Sequence, residues 1–209
     1  MRARWQLFDV AHAPVVAEIE KQGDRAAAIV AAAFLEDQLA GVIKSSLADE
    51  PKIIKNIFKG HGPLASLSTK IDFGLLLGIY GRGAHRQLVT IKDVRNKFAH
   101  SVRPVTFNSQ AVADLCNNLP APKRRTPPRI SDERDERLFE TDSRAWLWMW
   151  LDWINSGKDT PRNRFLITVR LHYVRFALWQ LIKDRTGQAP RSLVEQMPRE
   201  AHHRRRSRD

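Results

Sequence analysis

The segment Asp93-Val94-Arg95-Asn96-Lys97-Phe98-Ala99-His100 holds the residue types that metal-free chemistry on a phosphodiester needs. On a helix, at about 100° per residue, Asn96 and His100 are i,i+4 neighbours on one face. Arg95 lies about 140° from His100, so its long side chain has to swing round to meet the imidazole. Cations are favoured at the C-terminal end of a helix, and an imidazole there can move a proton near neutral pH. Arginine offers a planar donor fork for a phosphate or carboxylate. Arg95, Asn96 and His100 are therefore candidate catalytic residues, one managing protons and one holding phosphorane charge. The same side chains could instead bond across helices, or pair with Asp37, Asp72 or Asp93. Spacing leaves both readings open.

Other catalytic templates fail. There is no Walker loop, no H-E-x-x-H and no G-x-S-x-G. The glycines of Gly78-Ile79-Tyr80-Gly81-Arg82-Gly83 stop a helix instead of joining a strand to one, which argues against a phosphate cradle. The seven histidines are dispersed, and His202-His203 lack partners. Cys116 is the sole cysteine, which excludes an intramolecular disulfide or a cysteine-based zinc site and fits a reducing compartment. No metal and no cofactor are expected.

The 209 residues carry a net charge of +12, unevenly spread. Residues 1–120 hold 15 Lys and Arg against 11 Asp and Glu; residues 121–209 hold 20 against 12. Two clusters dominate the excess: Lys123-Arg124-Arg125 with Arg129, and Arg204-Arg205-Arg206 with Arg208. Such clusters attract phosphate backbones without reading sequence. With Lys97 and Arg103 they form the candidate nucleic-acid-binding set, for RNA or DNA, although a basic tail also serves solubility alone.

The elements that must position these residues are helical. The chain reads as all-α, a single bundle over residues 1–188 with a charged linker at about 120–140 and a basic, disordered tail at 189–209. Ala13 to Lys21 forms a short helix. Asp24 caps a long one that reaches about Leu47, with Ala28, Ala32, Leu35, Leu39 and Val42 inward. Pro51 opens a short helix closed by Gly60, and Pro63 starts another carrying Leu64, Leu67, Ile71, Leu75 and Gly78 on one face. The candidate residues lie on a helix from about His85 to Ser101, with Leu88, Ile91, Val94 and Phe98 inward. Ser109 caps a helix bearing Val112, Leu115, Cys116 and Leu119. A helix beginning at Thr141 or Asp142 holds Trp146, Trp148, Trp150 and Trp153, suited to core and oligomer contacts. The last helix follows Pro161 to about Arg185, with Arg164, Thr168, His172 and Arg175 as a polar stripe. That stripe is a further candidate nucleic-acid surface. No uninterrupted apolar run approaches the roughly 20 residues of a membrane span. The arginines near Met1 precede no apolar segment, so a cytoplasmic protein without signal peptide is expected.

The stretch His61-Gly-Pro-Leu-Ala-Ser-Leu-Ser-Thr-Lys-Ile-Asp72, followed by Arg95-Asn-Lys-Phe-Ala-His-Ser101, then Phe107 and Leu115-Cys116, resembles the mannitol-operon repressor family. Asp24 to Leu39 is similar to that family's first long helix and Thr160 to Arg170 to its last, so the resemblance spans about residues 20–185. It implies an all-helical bundle similar to the HEPN superfamily, whose ribonucleases carry Arg-x(4–6)-His on a late helix and pair two motifs across a dimer. Arg95 and His100 satisfy that spacing, and Asn96 matches the polar residue that often follows the arginine. The resemblance implies a cytoplasmic transcriptional regulator without an evident helix-turn-helix, acting through protein or nucleic-acid contacts, and a homodimer. A metal-independent ribonuclease using Arg95 and His100 is the alternative; a non-catalytic dimeric adaptor is the third.

Overall fold

A computed structural model describes residues 13–121 and 158–187. The described residues form seven helices and no strand: α1 Ala13–Lys21, α2 Asp24–Ser45, α3 Pro51–Phe58, α4 Leu67–Leu76, α5 Arg82–His100, α6 Gln110–Asn117 and α7 Pro161–Thr186. The expected linker beyond Ala121, the tryptophan-bearing helix and the basic tail lie outside the described residues.

Helix α2 is the hub, packed by α7, α5, α4 and α1. Its alanines at 27, 28, 31 and 32 are buried and let neighbouring backbones approach, while Leu35, Leu39, Val42 and Ile43 fill the space beyond them. By length and composition this 22-residue helix could cross a membrane, with a window of mean hydropathy 1.6. Its packing explains that composition, because a helix enclosed on several sides by other helices needs few polar residues.

Local chemistry sets the helix ends, and several differ from expectation. Gly23 occupies the cap position of α2, so Asp24 is already helical and its carboxylate is released for longer-range bonds. Helix α4 begins at Leu67, not at Pro63. Ser66 supplies the cap, accepting from the Thr69 backbone N–H at 3.1 Å, while Leu64 N–H turns back to the Ile57 carbonyl. At its far end the N–H groups of Gly78 and Ile79 donate to the carbonyls of Leu75 and Gly74. This motif needs a left-handed residue, and Gly78 supplies it at φ 70°. Gly81 is then free to start α5 three residues earlier than His85. Ser109 precedes α6 as expected, but its hydroxyl accepts from Thr106 N–H in the preceding loop and leaves the helix uncapped.

Helix α7 runs through the interior. Thr160 caps it by accepting from Asn163 N–H, Pro161 fills its first turn, and Gly187 (φ 67°) closes it. Phe165, Val169, Tyr173, Phe176 and Trp179 are buried. The middle of its polar stripe is buried, with no exposed surface on Thr168 or His172, while Arg164 and Arg175 are half-exposed. Thr168 returns its hydroxyl to the Arg164 carbonyl, and His172 accepts at Nδ1 from the Arg175 guanidinium at 2.9 Å. Thr168 and His172 are therefore internal and offer no surface to a nucleic acid, while Arg164 and Arg175 of the stripe still reach solvent.

Candidate functional site

The last two turns of α5 present the sequence-derived site. Val94 and Phe98 are fully buried and fix the rotation of the helix. That rotation leaves Arg95 and Asn96 half-exposed, and Lys97 and His100 exposed. The Arg95 guanidinium donates to the Asn96 side-chain oxygen at 3.0 Å. It is thus held on Asn96, and no hydrogen bond joins it to His100 among the described residues. The helix runs unbroken to His100 and ends at Ser101, whose backbone is extended (φ −82°, ψ 121°). The acids that could have tied the site down are elsewhere: Asp72 pairs with His85 at 2.8 Å, and Asp93 with Lys92 at 3.3 Å.

The loop that follows is pinned from both sides. Arg25 donates to the Ser101 and Arg103 carbonyls at 2.9 and 3.0 Å, placing a cation against a helix C-terminus. Asp24 accepts the Phe107 N–H at 2.9 Å and pairs with Arg162, whose guanidinium also donates to the Gln22 carbonyl. The Phe107 ring lies between Phe98 and Phe165, at centroid distances of 5.0 and 5.2 Å. This joins loop, α5 and α7 in one aromatic row worth more than its buried area alone. Between these anchors Val102 is 99% exposed, and Arg103 beside it is exposed as well.

The last turns of α5 therefore carry Arg95, Asn96, Lys97 and His100, and the loop that follows carries the exposed Val102 and Arg103. Lys123, Arg124, Arg125, Arg204, Arg205 and Arg206 lie outside the described residues. Sequence reasoning missed Arg25 and Val102. Nothing local marks Arg25, because its acceptors lie more than 75 residues away. Val102 had a signal: an apolar residue just before Arg103-Pro104 falls in an extended stretch, where burial is not given by helical period.

The sequence matches no family profile and no curated protein. Its fold is similar to the X-ray structure of the MtlR–HPr complex from Escherichia coli, a mannitol repressor with a protein partner. The TM-score is 0.53 over 78% of this chain and 96% of that one. At 14% identity, what the two chains share is the mannitol-repressor-like helical fold.

Proposed function

We propose that this chain is a non-enzymatic regulator of the mannitol-repressor type that docks a protein partner through the C-terminal end of α5. The observation that carries the reading is the fully exposed Val102, in a loop that Arg25 bonds at the Ser101 and Arg103 carbonyls and that Phe107 anchors in the core. A single aliphatic tip among polar neighbours suits an anchor that enters a partner's pocket, whereas phosphate-backbone contact has no use for it. Similarity to a fold solved in complex with HPr supports a protein partner. The test is calorimetric titration of the full chain with purified HPr. Saturable binding that Val102→Asp weakens at least tenfold is expected. Binding unchanged by that substitution, or no binding, contradicts the reading.

A second reading is a metal-independent ribonuclease using Arg95 and His100. Its support is the exposure of His100 one turn beyond the Arg95–Asn96 pair. Incubating a structured RNA in EDTA with wild type and His100→Ala separates the two. Cleavage by wild type alone favours the enzyme. Nucleic-acid binding through residues 123–129 and 199–208 would be electrostatic, with affinity falling by a log–log slope of about −0.9 per phosphate contact on duplex DNA. Truncation after Pro198 removes five arginines and two acids, and should flatten that slope.

A further inference from the structure

Helix α3 is amphipathic, yet it buries nothing. At about 100° per residue, Ile53, Ile54, Ile57 and Phe58 fall within an arc of about 140°, and Lys52, Lys55 and Asn56 share the opposite side. Such a stripe normally seats a helix on a core. Every other described helix buries at least one side chain, whereas α3 buries none. Ile57 and Phe58 lean on the core, and the Ile57 carbonyl accepts the Leu64 N–H at 3.0 Å, so one edge of the arc is tied to the bundle. Ile53, at the other edge, is 56% exposed.

The charge around this uncovered edge is of one sign. Lys52, Lys55 and Lys59 are exposed and take part in no ion pair or hydrogen bond among the described residues. Lys44 lies over the Phe58 ring, 5.0 Å from its centroid. No Asp or Glu occurs from Pro51 to Ile71; Asp49 and Glu50 sit just ahead of the first turn, where the helix dipole favours them. Such a face calls for an anionic occupant. A second copy of this chain would bring a net charge of +12 against it. Phosphate backbones of nucleic acids have no use for an aliphatic tip. A bilayer, unlike a protein partner, asks for no shape match from a narrow ridge of one isoleucine among flexible lysines. Lysine stems let the ammonium groups reach lipid phosphates while an apolar side chain enters the acyl boundary. We propose that the outer side of α3 docks reversibly on anionic phospholipid, with Lys52, Lys55 and Lys59 at the phosphates and Ile53 in the acyl boundary.

The full chain is sedimented with vesicles of phosphatidylcholine alone, or of equal parts phosphatidylcholine and phosphatidylglycerol. It should bind the anionic vesicles at least tenfold more tightly, and added salt should weaken that binding. Because the chain carries other basic clusters, variants decide where contact is made. Lys52→Glu with Lys55→Glu should weaken binding about tenfold. Arg82→Glu with Arg86→Glu, an equal change of charge at the exposed start of α5, should weaken it less than twofold. Ile53→Asn should weaken it several-fold and leave its salt dependence unchanged. All five side chains are exposed, and circular-dichroism melts check that each variant folds as wild type does. Equal binding to both kinds of vesicle overturns the proposal, as does an equal loss in the two charge-reversed pairs. A dimer that forms without lipid and that Ile53→Asn dissociates would assign the face to a second copy, and overturns it too.

Discussion

Two helices carry polar residues at helical spacing, and the structure treats them in opposite ways. On α5, Arg95, Asn96, Lys97 and His100 face outward beside a pinned loop. On α7, Thr168 and His172 are sealed inside the bundle. In sequence the two stripes look alike. What separates them is not the number of helices packed around each, since α7 meets α2, α6 and α5 while α5 meets α2, α4, α6 and α7. It is which face each helix turns to them, because Val94 and Phe98 take the inner face of α5 and Thr168 and His172 lie on the inner face of α7. A polar stripe is thus a surface only where the packing leaves it one, and its buried members depend on internal partners, as Thr168 does on the Arg164 carbonyl and His172 Nδ1 on Arg175.

The largest expected effect tests whether the loop is anchored as firmly as the core. Phe107→Ala removes the middle ring of the aromatic row and should destabilise the chain by about 3–5 kcal/mol in denaturant melts. A loss below about 1 kcal/mol would mean the loop is not part of the core.

The next concerns the sealed stripe. Burial, reinforced by the adjacent Arg175 cation, pushes His172 well below its ordinary value of 6.5. The unfolded histidine takes up a proton below about pH 6.5, and the buried one does not. Stability from this group is therefore complete above pH 6.5 and falls with pH below it, by at most about 1.4 kcal/mol per unit. His172→Met should remove that part of the acid slope, and His100→Ala should leave it intact. Equal effects of the two variants would erase the distinction between the stripes.

A smaller effect tests the clamp. Arg25→Met deletes two bonds to loop carbonyls and should cost about 1 kcal/mol, with faster amide exchange confined to residues 101–106. The smallest is a contrast: Val102→Asp should change stability by less than about 0.5 kcal/mol, because the side chain touches little. Thermal melts of the two variants side by side decide both.

Much of the fold was legible in sequence, since helical periods and stop signals place the elements. The inward residues Leu88, Ile91, Val94 and Phe98 of α5 are all buried. The ends were less legible, because capping depends on which bond a side chain takes. Asp24 and Ser109 both had cap chemistry and spent it elsewhere, on Phe107 N–H and Thr106 N–H. The candidate site was legible in its residues but not in its setting. A distant arginine and an exposed valine define that setting; the arginine has no local pattern, and the valine only the weak one of an extended stretch before a proline. Burial of Thr168 and His172 on α7 was equally hidden, since period reports which residues share a face and not what covers it.

The measurement that bears most directly on the central claim is amide hydrogen exchange of the full chain with and without saturating HPr. The account predicts added protection concentrated at residues 97–105, with α7 unchanged and the protection lost in Val102→Asp. Protection centred elsewhere on the bundle, or none at all, would contradict the claim that the end of α5 is a protein-docking surface.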